Sequence, residues 1–391
     1  MPLIQILEKS PDIVLQYNIK QIVTAAGNGV LLDNSECCKE LRHYLANIHM
    51  EKLFEHANYC LANSFEKSGQ VLQDIVNEMG RRLDYSVENG LYQGKQNQIG
   101  YDGIWKSLDN NSIVIEIKTT DTYRINLDKI AEYRNKLIDA DKITKQSSIL
   151  VVVGRNDTGD LEAQIRGSKH AWDIRVISVE ALIKLVEVKI KSDEDETTKQ
   201  IQNLLQPIEY TRLDNIIDII FTAAKDIEAA DETGEVPEEN REERNKNNTP
   251  REILDSVRNR IIAAISKKEK ATLIAHKRVQ YGSSDKKVRV VCPVSKQYNG
   301  EGYWFAYHPR YNIFLQEAKQ GYFALGCIGQ NFGYAIPHSV MIKLLNSMNV
   351  TPRGEKTYWH VHLDPNGKNG FDLSLKRGEK FNLDNYKINI S

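Results

Sequence analysis

The sequence contains few cysteines and no long hydrophobic run. Its 5 cysteines form no CxxC pair and are odd in number, which argues against a disulfide framework and against a zinc site. No stretch approaches the roughly 18 uncharged apolar residues that cross a bilayer, and the first residues lack a basic segment followed by an apolar run. We therefore expect a non-secreted protein of the reducing cytoplasm, with no membrane partner.

Charge is distributed unevenly along the chain, although the net charge is only −1. Residues 251–391 contain 22 Lys and Arg against 11 Asp and Glu, so this part is basic and the remainder is acidic. This distribution indicates either that the basic part binds a polyanion or that the two parts attract each other. Charge alone does not decide between these alternatives.

The chain has enough apolar residues for two or three packed domains, since 41% of its 391 residues are apolar. The pattern predicts a helical N-terminal segment at residues 1–60, an α/β domain at 61–227, an acidic linker at 228–250 and a C-terminal domain at 251–391. Between Cys37 and Leu83 the apolar residues recur every three or four positions, as in an amphipathic helix. The β-rich runs SIVIEIK, SSILVVVG and RVIS follow and alternate with helical segments, which predicts an α/β fold with a mixed sheet.

The segment GYDGIWKSLDNNSIVIEIKTTD contains the most informative residues. In the strand SIVIEIK, side chains alternate, so Glu116 and Lys118 share one face and the isoleucines lie on the other. A hairpin turn centred near Asp109 places Asp102 opposite Glu116. Because two facing carboxylates repel each other unless a cation lies between them, this arrangement indicates a divalent metal site.

The chemistry of these residues suits hydrolysis of a phosphodiester bond. Asp102, Glu116 and the Ile117 carbonyl, together with waters, form the oxygen-rich and partly hydrated ligand set that Mg²⁺ prefers, with Mn²⁺ as a substitute. Lys118 would hold the attacking water or neutralise the transition state. The alternative is an exposed hairpin whose charged side chains only face water.

With Asp102, Glu116 and Lys118 in this context, the chain resembles the PD-(D/E)XK nuclease superfamily over roughly Phe65 to Lys189. The resemblance implies a restriction-endonuclease-like core, built from a helix, a three-stranded meander, a crossing helix and a further strand. It also implies that these three residues are catalytic. Tyr101 stands where the family usually has a proline.

The same resemblance implies a further catalytic residue from the first helix of the core. Members of the family often supply an acidic or amide side chain there, and Glu66, Gln70 and Gln73 are the candidates in this chain. The sequence does not choose between them, and each is otherwise a solvated polar residue of a helix.

Polar and basic residues downstream of the motif are candidates for contacts with nucleic acid. The first group follows the strand directly and consists of Thr119, Thr120, Tyr123 and Arg124. The second group surrounds a helix-to-strand turn and consists of Gln164, Arg166, Lys169, His170 and Arg175. A surface loop is the alternative for the first group, and salt bridges within the acidic part are the alternative for the second.

The C-terminal region is predicted to be a separate, basic, mostly β domain, formed as a small, mostly antiparallel barrel or sandwich. A basic helix at Ile253 to His276 leads into it and would follow DNA phosphates with the cations Arg258, Arg260, Lys267, Lys268, Lys270, Lys277 and Arg278. Its aromatic residues would stack on bases, or else form the core, and they are Tyr303, Trp304, Tyr307, Tyr322 and Trp359.

We therefore expect a Mg²⁺-dependent endonuclease that acts on double-stranded DNA and recognises it through the C-terminal domain. The resemblance implies a role in restriction or antiphage defence. One alternative is a defence effector whose C-terminal domain binds a regulatory protein partner or a small signal. Another is a DNA-binding module that has lost catalysis.

Two cuts on antiparallel strands require two active sites, which favours a homodimer. Apolar stripes outside the minimal core, at Ile201 to Leu205 and Leu213 to Ile227, would suit such an interface. The alternative is that these helices pack on their own core.

Overall fold

The structure of the chain is a computed structural model. It describes residues 3–9, 11–93, 99–119, 124–154, 159–192, 195–206, 249–298, 302–351 and 357–390. The chain forms two compact units, the first running to residue 223 and the second from residue 224, with residues 191–193 grouped with the second. Within these ranges, no helix is long and apolar enough to cross a membrane.

The first unit begins with helices that share one hydrophobic core. They are α1 (Leu3–Lys9), α2 (Pro11–Leu15), α3 (Ile19–Ala25), α4 (Glu36–Asn47), α5 (Met50–Ala62) and α6 (Ser68–Arg82). Side chains such as Leu41, Leu53 and Val76 are fully buried together in this core. The described residues of the predicted N-terminal segment therefore pack against the α/β part of the same unit.

The helical periodicity between Cys37 and Leu83 is divided among three helices. Ile48 and Asn63 have extended backbones that end α4 and α5, and Lys67, with a φ of 68°, precedes α6. Apolar spacing alone does not reveal such breaks, because the same spacing resumes after each turn. Glu66 consequently lies before α6 and does not share a helical face with Gln73.

A mixed five-stranded sheet forms the centre of the first unit. Its strands lie in the spatial order β1 (Ser86–Asn89), β2 (Gly103–Lys106), β3 (Ser112–Lys118), β4 (Ser148–Val153) and β5 (Ile174–Ser178). The first three are antiparallel neighbours, whereas β4 and β5 continue parallel to β3. The three β-rich runs predicted from the sequence are strands β3, β4 and β5.

Helices cover both faces of this sheet. On one face α6 packs with α9 (Val179–Lys191) and α10 (Asp195–Leu205), and on the other face α7 (Leu127–Asp139) packs with α8 (Gly159–Arg166). Asn126 caps the N-terminus of α7, because its Oδ1 accepts a hydrogen bond from the Lys129 amide at 3.0 Å. Burial on both faces explains why β4 reads as a continuous apolar run.

The second unit contains two sheets, three α-helices and two short 3-10 helices (Lys376–Gly378 and Asp384–Tyr386) among its described residues. The α-helices are α11 (Arg251–Glu269), α12 (Pro309–Gln316) and α13 (His338–Leu345). One sheet is mixed and consists of β6 (Ile274–Ala275), β7 (Gln280–Gly282), β8 (Val288–Val291), β9 (Val294–Ser295), β12 (Gln320–Cys327), β13 (Phe332–Pro337) and β18 (Lys387–Asn389). The other is antiparallel and consists of β10 (Gln297–Tyr298), β11 (Gly302–Tyr307), β14 (Val350–Thr351), β15 (Tyr358–Pro365), β16 (Phe371–Ser374) and β17 (Lys380–Asn382).

The two sheets of the second unit share a core, and α11 covers the mixed sheet. Phe305 and Val361 of the antiparallel sheet are buried in one cluster with Phe323 of the mixed sheet. On the other side of the mixed sheet, Ile261 of α11 packs with Val290. Most strand pairs in the described part of this unit are antiparallel, as the sequence predicts, and the parallel pairing of β12 with β8 and β9 makes one of its two sheets mixed.

The helix predicted at Ile253 to His276 is shorter than expected. It ends at Glu269, and Lys270 adopts a left-handed conformation with a φ of 52°. Lys277 and Arg278 therefore lie beyond the helix, after strand β6. Of the predicted linker, only Thr249 and Pro250 are within the described ranges, and the predicted apolar stripe at Leu213 to Ile227 lies outside them.

Candidate active site

The β2–β3 hairpin has the register expected from its sequence. Gly103 pairs with Ile115 and Ile104 pairs with Val114, so the position before β2, Asp102, is opposite Glu116. The Asp102 amide continues this pairing by donating to the Ile115 carbonyl at 3.1 Å. The two carboxyl-bearing residues therefore occupy facing positions at one end of the hairpin.

The main chain and the side chain of Asp102 are both held in place. Its carboxylate oxygen Oδ2 accepts a hydrogen bond from the Ile117 amide at 2.6 Å. Its carbonyl accepts from the side-chain amides of Gln73 at 3.0 Å and Asn77 at 2.9 Å, both from α6. Helix α6 thus fixes the position of Asp102 through two amide groups that point at one carbonyl.

Glu116 and Lys118 lie two residues apart on the same face of β3. The Lys118 ammonium forms an ion pair with Glu116 Oε1. The Lys118 side chain is 31% exposed and the Glu116 side chain is 14% exposed. Because ions that are this sheltered from water interact strongly, the pair orients both groups at the edge of the site. The lysine is thereby held beside the carboxylate rather than extended into solvent.

The facing carboxylates make Asp102 a weaker acid than usual. Burial and the nearby Glu116 raise the pKa of Asp102 to about 7, although the Ile117 amide and Lys118 partly oppose the rise. A proton or a cation at this position would relieve the repulsion between the two carboxylates. The site thus has the electrostatic character of a place that attracts positive charge.

The oxygen atoms present here suit a hydrated Mg²⁺ better than a fully protein-coordinated ion. No cluster of three or more His, Cys, Asp and Glu side chains suited to a metal occurs among the described residues. The Ile117 amide points towards Asp102, and in a β-strand the carbonyl of a residue points to the same side as its amide. Two carboxylates and one carbonyl then leave room for the waters that Mg²⁺ retains.

A polar pocket lies at this end of the hairpin. It is lined by Gly69, Gln70, Gln73, Tyr92, Asp102, Ile117, Lys118 and Thr119. The pocket therefore brings together residues of α6, the end of β3 and the connection between β1 and β2. Among the helix candidates, Gln70 and Gln73 contribute to its wall, whereas the exposed Glu66 does not.

The candidate nucleic-acid contacts of the first unit differ in their surroundings. Thr119 lines the pocket, Arg124 is exposed before α7, and Thr120 and Tyr123 lie outside the described residues. Arg166 is 76% exposed on α8. Arg175 is half-buried on β5.

The turn after α8 contains salt bridges, which were the alternative to nucleic-acid contacts for this group of residues. Asp128 accepts from His170 Nε2 at 2.8 Å and pairs with the Lys169 ammonium at 3.1 Å. Gln164 bonds the amide and the carbonyl of Ile125 through its side chain. Gln164 therefore fixes the segment that leads from β3 to α7.

The basic residues of the second unit are also placed in contrasting environments. Lys267 and Lys268 are exposed at the end of α11. Arg258 is 3% exposed and donates to the Cys292 carbonyl at 3.1 Å, and Lys277 is 5% exposed. Arg260 in the middle of α11 is also exposed, so this position and the C-terminal end of the helix are accessible to a polyanion.

The two tryptophans predicted to stack on bases are each half-buried. Trp304 donates its indole N–H to His360 Nδ1 at 3.2 Å on the outer face of the antiparallel sheet. The ring of Trp359 packs edge-on against Tyr307, with 6.2 Å between the ring centroids. Tyr303, Tyr307 and Tyr322 are buried, in agreement with the alternative that they belong to the core.

The sequence did not point to Tyr92, Asp74 and Arg42. Tyr92 lines the pocket and donates its hydroxyl to Asp74, whose other oxygen accepts from Arg42 Nε at 2.9 Å. These partners are separated by 18 and 32 residues along the chain. No local motif or periodicity connects residues at such distances.

No protein-family model matches the chain, and no curated protein is significantly similar to it in sequence. A functional assignment therefore depends on the geometry of the site and on the order of the elements around it.

Proposed function

We propose that this protein is a Mg²⁺-dependent endonuclease whose active site consists of Asp102, Glu116 and Lys118. The observation that supports the proposal best is the hairpin register, which puts two carboxylates opposite each other with a lysine beside one of them. Repelling carboxylates are destabilising unless a cation accompanies them. A metal site accounts for this arrangement better than an exposed hairpin whose charged side chains only face water.

The residues of the chain have distinct roles in this proposal. Asp102 and Glu116, with the Ile117 carbonyl, would hold the ion, and a bound Mg²⁺ would polarise the phosphate and favour ionisation of its water. Lys118 would leave its ion pair with Glu116 to orient the attacking water or to balance negative charge on the phosphate. Gln73 and Asn77 would keep Asp102 in position through its carbonyl.

The order of elements around the site supports a restriction-endonuclease-like core. Helix α6 precedes the meander β1–β2–β3, α7 crosses to β4, and β4 lies parallel to β3. This is the order that the resemblance to PD-(D/E)XK nucleases implies. The proposal extends to a role in restriction or antiphage defence, which rests on that resemblance alone.

Double-stranded DNA is the proposed substrate, and the second unit is the proposed recognition domain. The exposed lysines at the end of α11 and the basic composition of residues 251–391 support a polyanionic ligand. A regulatory partner bound by the second unit would instead give a nuclease that is inactive when purified alone. The cleavage assay therefore separates these two versions of the proposal.

The decisive experiment incubates the purified full chain with plasmid DNA and with modified phage DNA, in Mg²⁺ and in EDTA. We expect cleavage in Mg²⁺ and none in EDTA, because the carboxylates need the ion. Glu116→Ala, Asp102→Ala and Lys118→Ala should each abolish cleavage and leave the fold intact. Glu132→Ala is the matched control, since this glutamate is 58% exposed and pairs with Lys136 on α7.

Equal cleavage by the wild type and by Glu116→Ala would contradict the assignment of the active site. Binding of DNA without cleavage by the wild type would favour the inactive DNA-binding module or the regulated effector. Restoration of cleavage by a cellular partner would then support the regulated effector.

A further inference from the structure

The wall of the pocket contains a residue that is held from two sides. The Tyr92 amide donates to Asp33 Oδ1 at 2.8 Å, and the Tyr92 hydroxyl donates to Asp74 Oδ2. Tyr92 is 9% exposed and lies between β1 and β2. Since its hydroxyl is directed into a buried carboxylate, Tyr92 acts as a fixed part of the wall rather than as a mobile side chain.

Asp74 connects this wall to the N-terminal helices. It follows the pocket residue Gln73 on α6, and its side chain is 0% exposed. A carboxylate in such a place is costly unless it is paired, and Asp74 is paired with Arg42 of α4 through an Nε–Oδ1 contact of 2.9 Å. The carboxylate therefore positions both Tyr92 and Arg42.

Arg42 has donors that this pairing does not use. Its carboxylate partner takes the Nε–H, and within the described part of the chain the guanidinium forms no other hydrogen bond. The Arg42 side chain is 29% exposed, and its guanidinium carbon lies 5.3 Å from the centre of the Tyr92 ring. The cation therefore lies beside the pocket residue Tyr92, and its terminal N–H groups have no hydrogen-bond partner among the described residues.

We propose that Arg42 binds a phosphate of the substrate strand next to the phosphate that is cleaved, with Asp74 and Tyr92 as its positioning residues. A planar guanidinium fixed by a carboxylate suits phosphate, because it presents paired N–H donors and stays charged at all relevant pH values. Lys118, the cation of the motif, is already paired with Glu116. Arg42 supplies additional positive charge beside the pocket wall, and a polyanionic strand requires such charge.

This inference rests on the proposed nuclease function, and it makes the N-terminal helices part of the substrate site. Helices α4 and α6 share one hydrophobic core, which keeps Arg42 in a fixed place relative to the pocket residues of α6. A purely structural role for Arg42 would be restricted to neutralising Asp74. The two roles differ in how the reaction responds to salt.

The test measures kcat and KM for plasmid cleavage by the full chain at a series of KCl concentrations. Arg42→Gln should lower kcat/KM about tenfold, mainly through KM, and should make its logarithmic salt dependence shallower by about 1, as expected for one lost phosphate contact. Arg42→Lys keeps the charge and should therefore retain most of the wild-type salt dependence of kcat/KM. Arg81→Gln is the matched control, because Arg81 is 35% exposed and pairs with Glu78 on α6.

The double variant Arg42→Gln with Asp74→Asn separates binding from folding. It replaces a buried ion pair by two amides that can bond each other, so it leaves no unpaired charge at position 74. A shallow salt slope in a stably folded double variant supports the phosphate contact. A wild-type slope in Arg42→Gln, or its full recovery in the double variant, would overturn the inference while leaving the nuclease proposal intact. Absence of cleavage by the wild type would instead overturn the function on which the inference rests.

Discussion

Asp102 carries a carboxylate that faces a second carboxylate in a partly buried position. Its raised pKa follows from burial and from Glu116, and the Ile117 amide limits the rise. An acid whose pKa is higher in the folded protein than in the unfolded chain stabilises the fold at low pH. That stabilisation is lost as the pH rises from the unfolded value near 4 to the folded value near 7.

The first prediction compares the wild type with Asp102→Asn in EDTA. Asparagine keeps the side-chain oxygen that accepts from the Ile117 amide but removes the charge. We subtract the free energy of unfolding of the wild type from that of the variant. This difference should be roughly 2 kcal/mol larger at pH 8 than at pH 5. Urea denaturation at both pH values measures it, and a difference independent of pH would contradict the raised pKa.

The stability of the variant is compared with that of the wild type at each pH because other groups also titrate in this pH range. Burial lowers the pKa of His56 to about 4, so the stability linked to this histidine is lost as the pH falls below its unfolded pKa near 6.5. This change runs in the opposite direction to that of Asp102. It is common to the wild type and the variant, and it cancels when one is subtracted from the other.

The second prediction concerns addition of Mg²⁺ to the same two proteins. Ion binding requires ionised carboxylates, so Mg²⁺ should raise the melting temperature of the wild type more at pH 8 than at pH 5. Asp102→Asn lacks one ligand and should respond little at either pH. A melting temperature that increases equally in both proteins would indicate a site elsewhere.

At the scale of elements, α6 links the hydrophobic core to the candidate site. Trp105 of β2 is fully buried and donates its indole N–H to Asn77 Oδ1 at 3.0 Å. The Nδ2 of Asn77 in turn donates to the Asp102 carbonyl. The indole packs against Gly80, where a Cβ atom would overlap the ring. The position of Asp102 therefore depends on how closely α6 approaches β2.

The third prediction is that Gly80→Ala destabilises the first unit although alanine favours helices. The overlap with Trp105 should cost about 1–3 kcal/mol, which exceeds the gain of up to about 1 kcal/mol from helix propensity. Gly69→Ala is the matched control in the same helix, since the nearest atom to its Cβ is Thr119 Cγ2 at 3.9 Å. Thermal unfolding measures both variants, and equal melting temperatures would contradict the close approach.

The elements differ in how well their sequences predicted them. Strand β3 and the cap at Asn126 were predictable because alternation and capping depend on neighbouring residues. The facing of Asp102 and Glu116 was predictable because a short hairpin fixes its own register. These local rules covered the motif of the candidate site.

Other features depend on contacts or conformations that no local pattern contains. The end of α11 is set by the left-handed Lys270, and lysine has no special preference for that conformation. The pairing of Asp74 with Arg42 and Tyr92 joins three distant segments. A polar residue at position 74 is in sequence indistinguishable from a solvated helix residue, and only tertiary packing reveals its burial.

At the scale of the whole molecule, the opposite charges of the two parts of the chain separate two proposed tasks. The acidic part contains the candidate catalytic site, and the basic part is the proposed DNA-binding domain. The net negative charge of the acidic part repels DNA, so binding needs a second source of affinity. A basic domain supplies it, because its cations release counterions from the duplex.

The fourth prediction is that the chain from Pro250 onward binds duplex DNA with a steep salt dependence. Lys267→Ala combined with Lys268→Ala should make the logarithmic slope shallower by about 2, because each lost phosphate contact removes close to one unit. Lys343→Ala, at an exposed position of α13, is the control. Undetectable or salt-independent binding would favour a second unit that binds a regulatory partner.

The final prediction concerns assembly, because the chemistry needs more than one copy of the site. In the proposed function, one set of Asp102, Glu116 and Lys118 would hydrolyse one strand, whereas a double-strand break requires two cuts on antiparallel strands. Ile201 and Leu205 of α10 are 1% and 3% exposed in the core of the first unit, so this helix packs on its own core and its apolar residues do not form the interface. The stripe at Leu213 to Ile227 lies outside the described residues.

A two-fold dimer remains the simplest way to place two sites on a duplex, since its symmetry matches that of the two strands. We therefore expect the mass from light scattering to double when the protein binds DNA, if it has not already doubled in the free protein. Mixing wild type with excess Glu116→Ala should convert linear plasmid products into nicked circles, because mixed dimers cut only one strand. A strict monomer in both states that linearises plasmid in one binding event would refute the dimer.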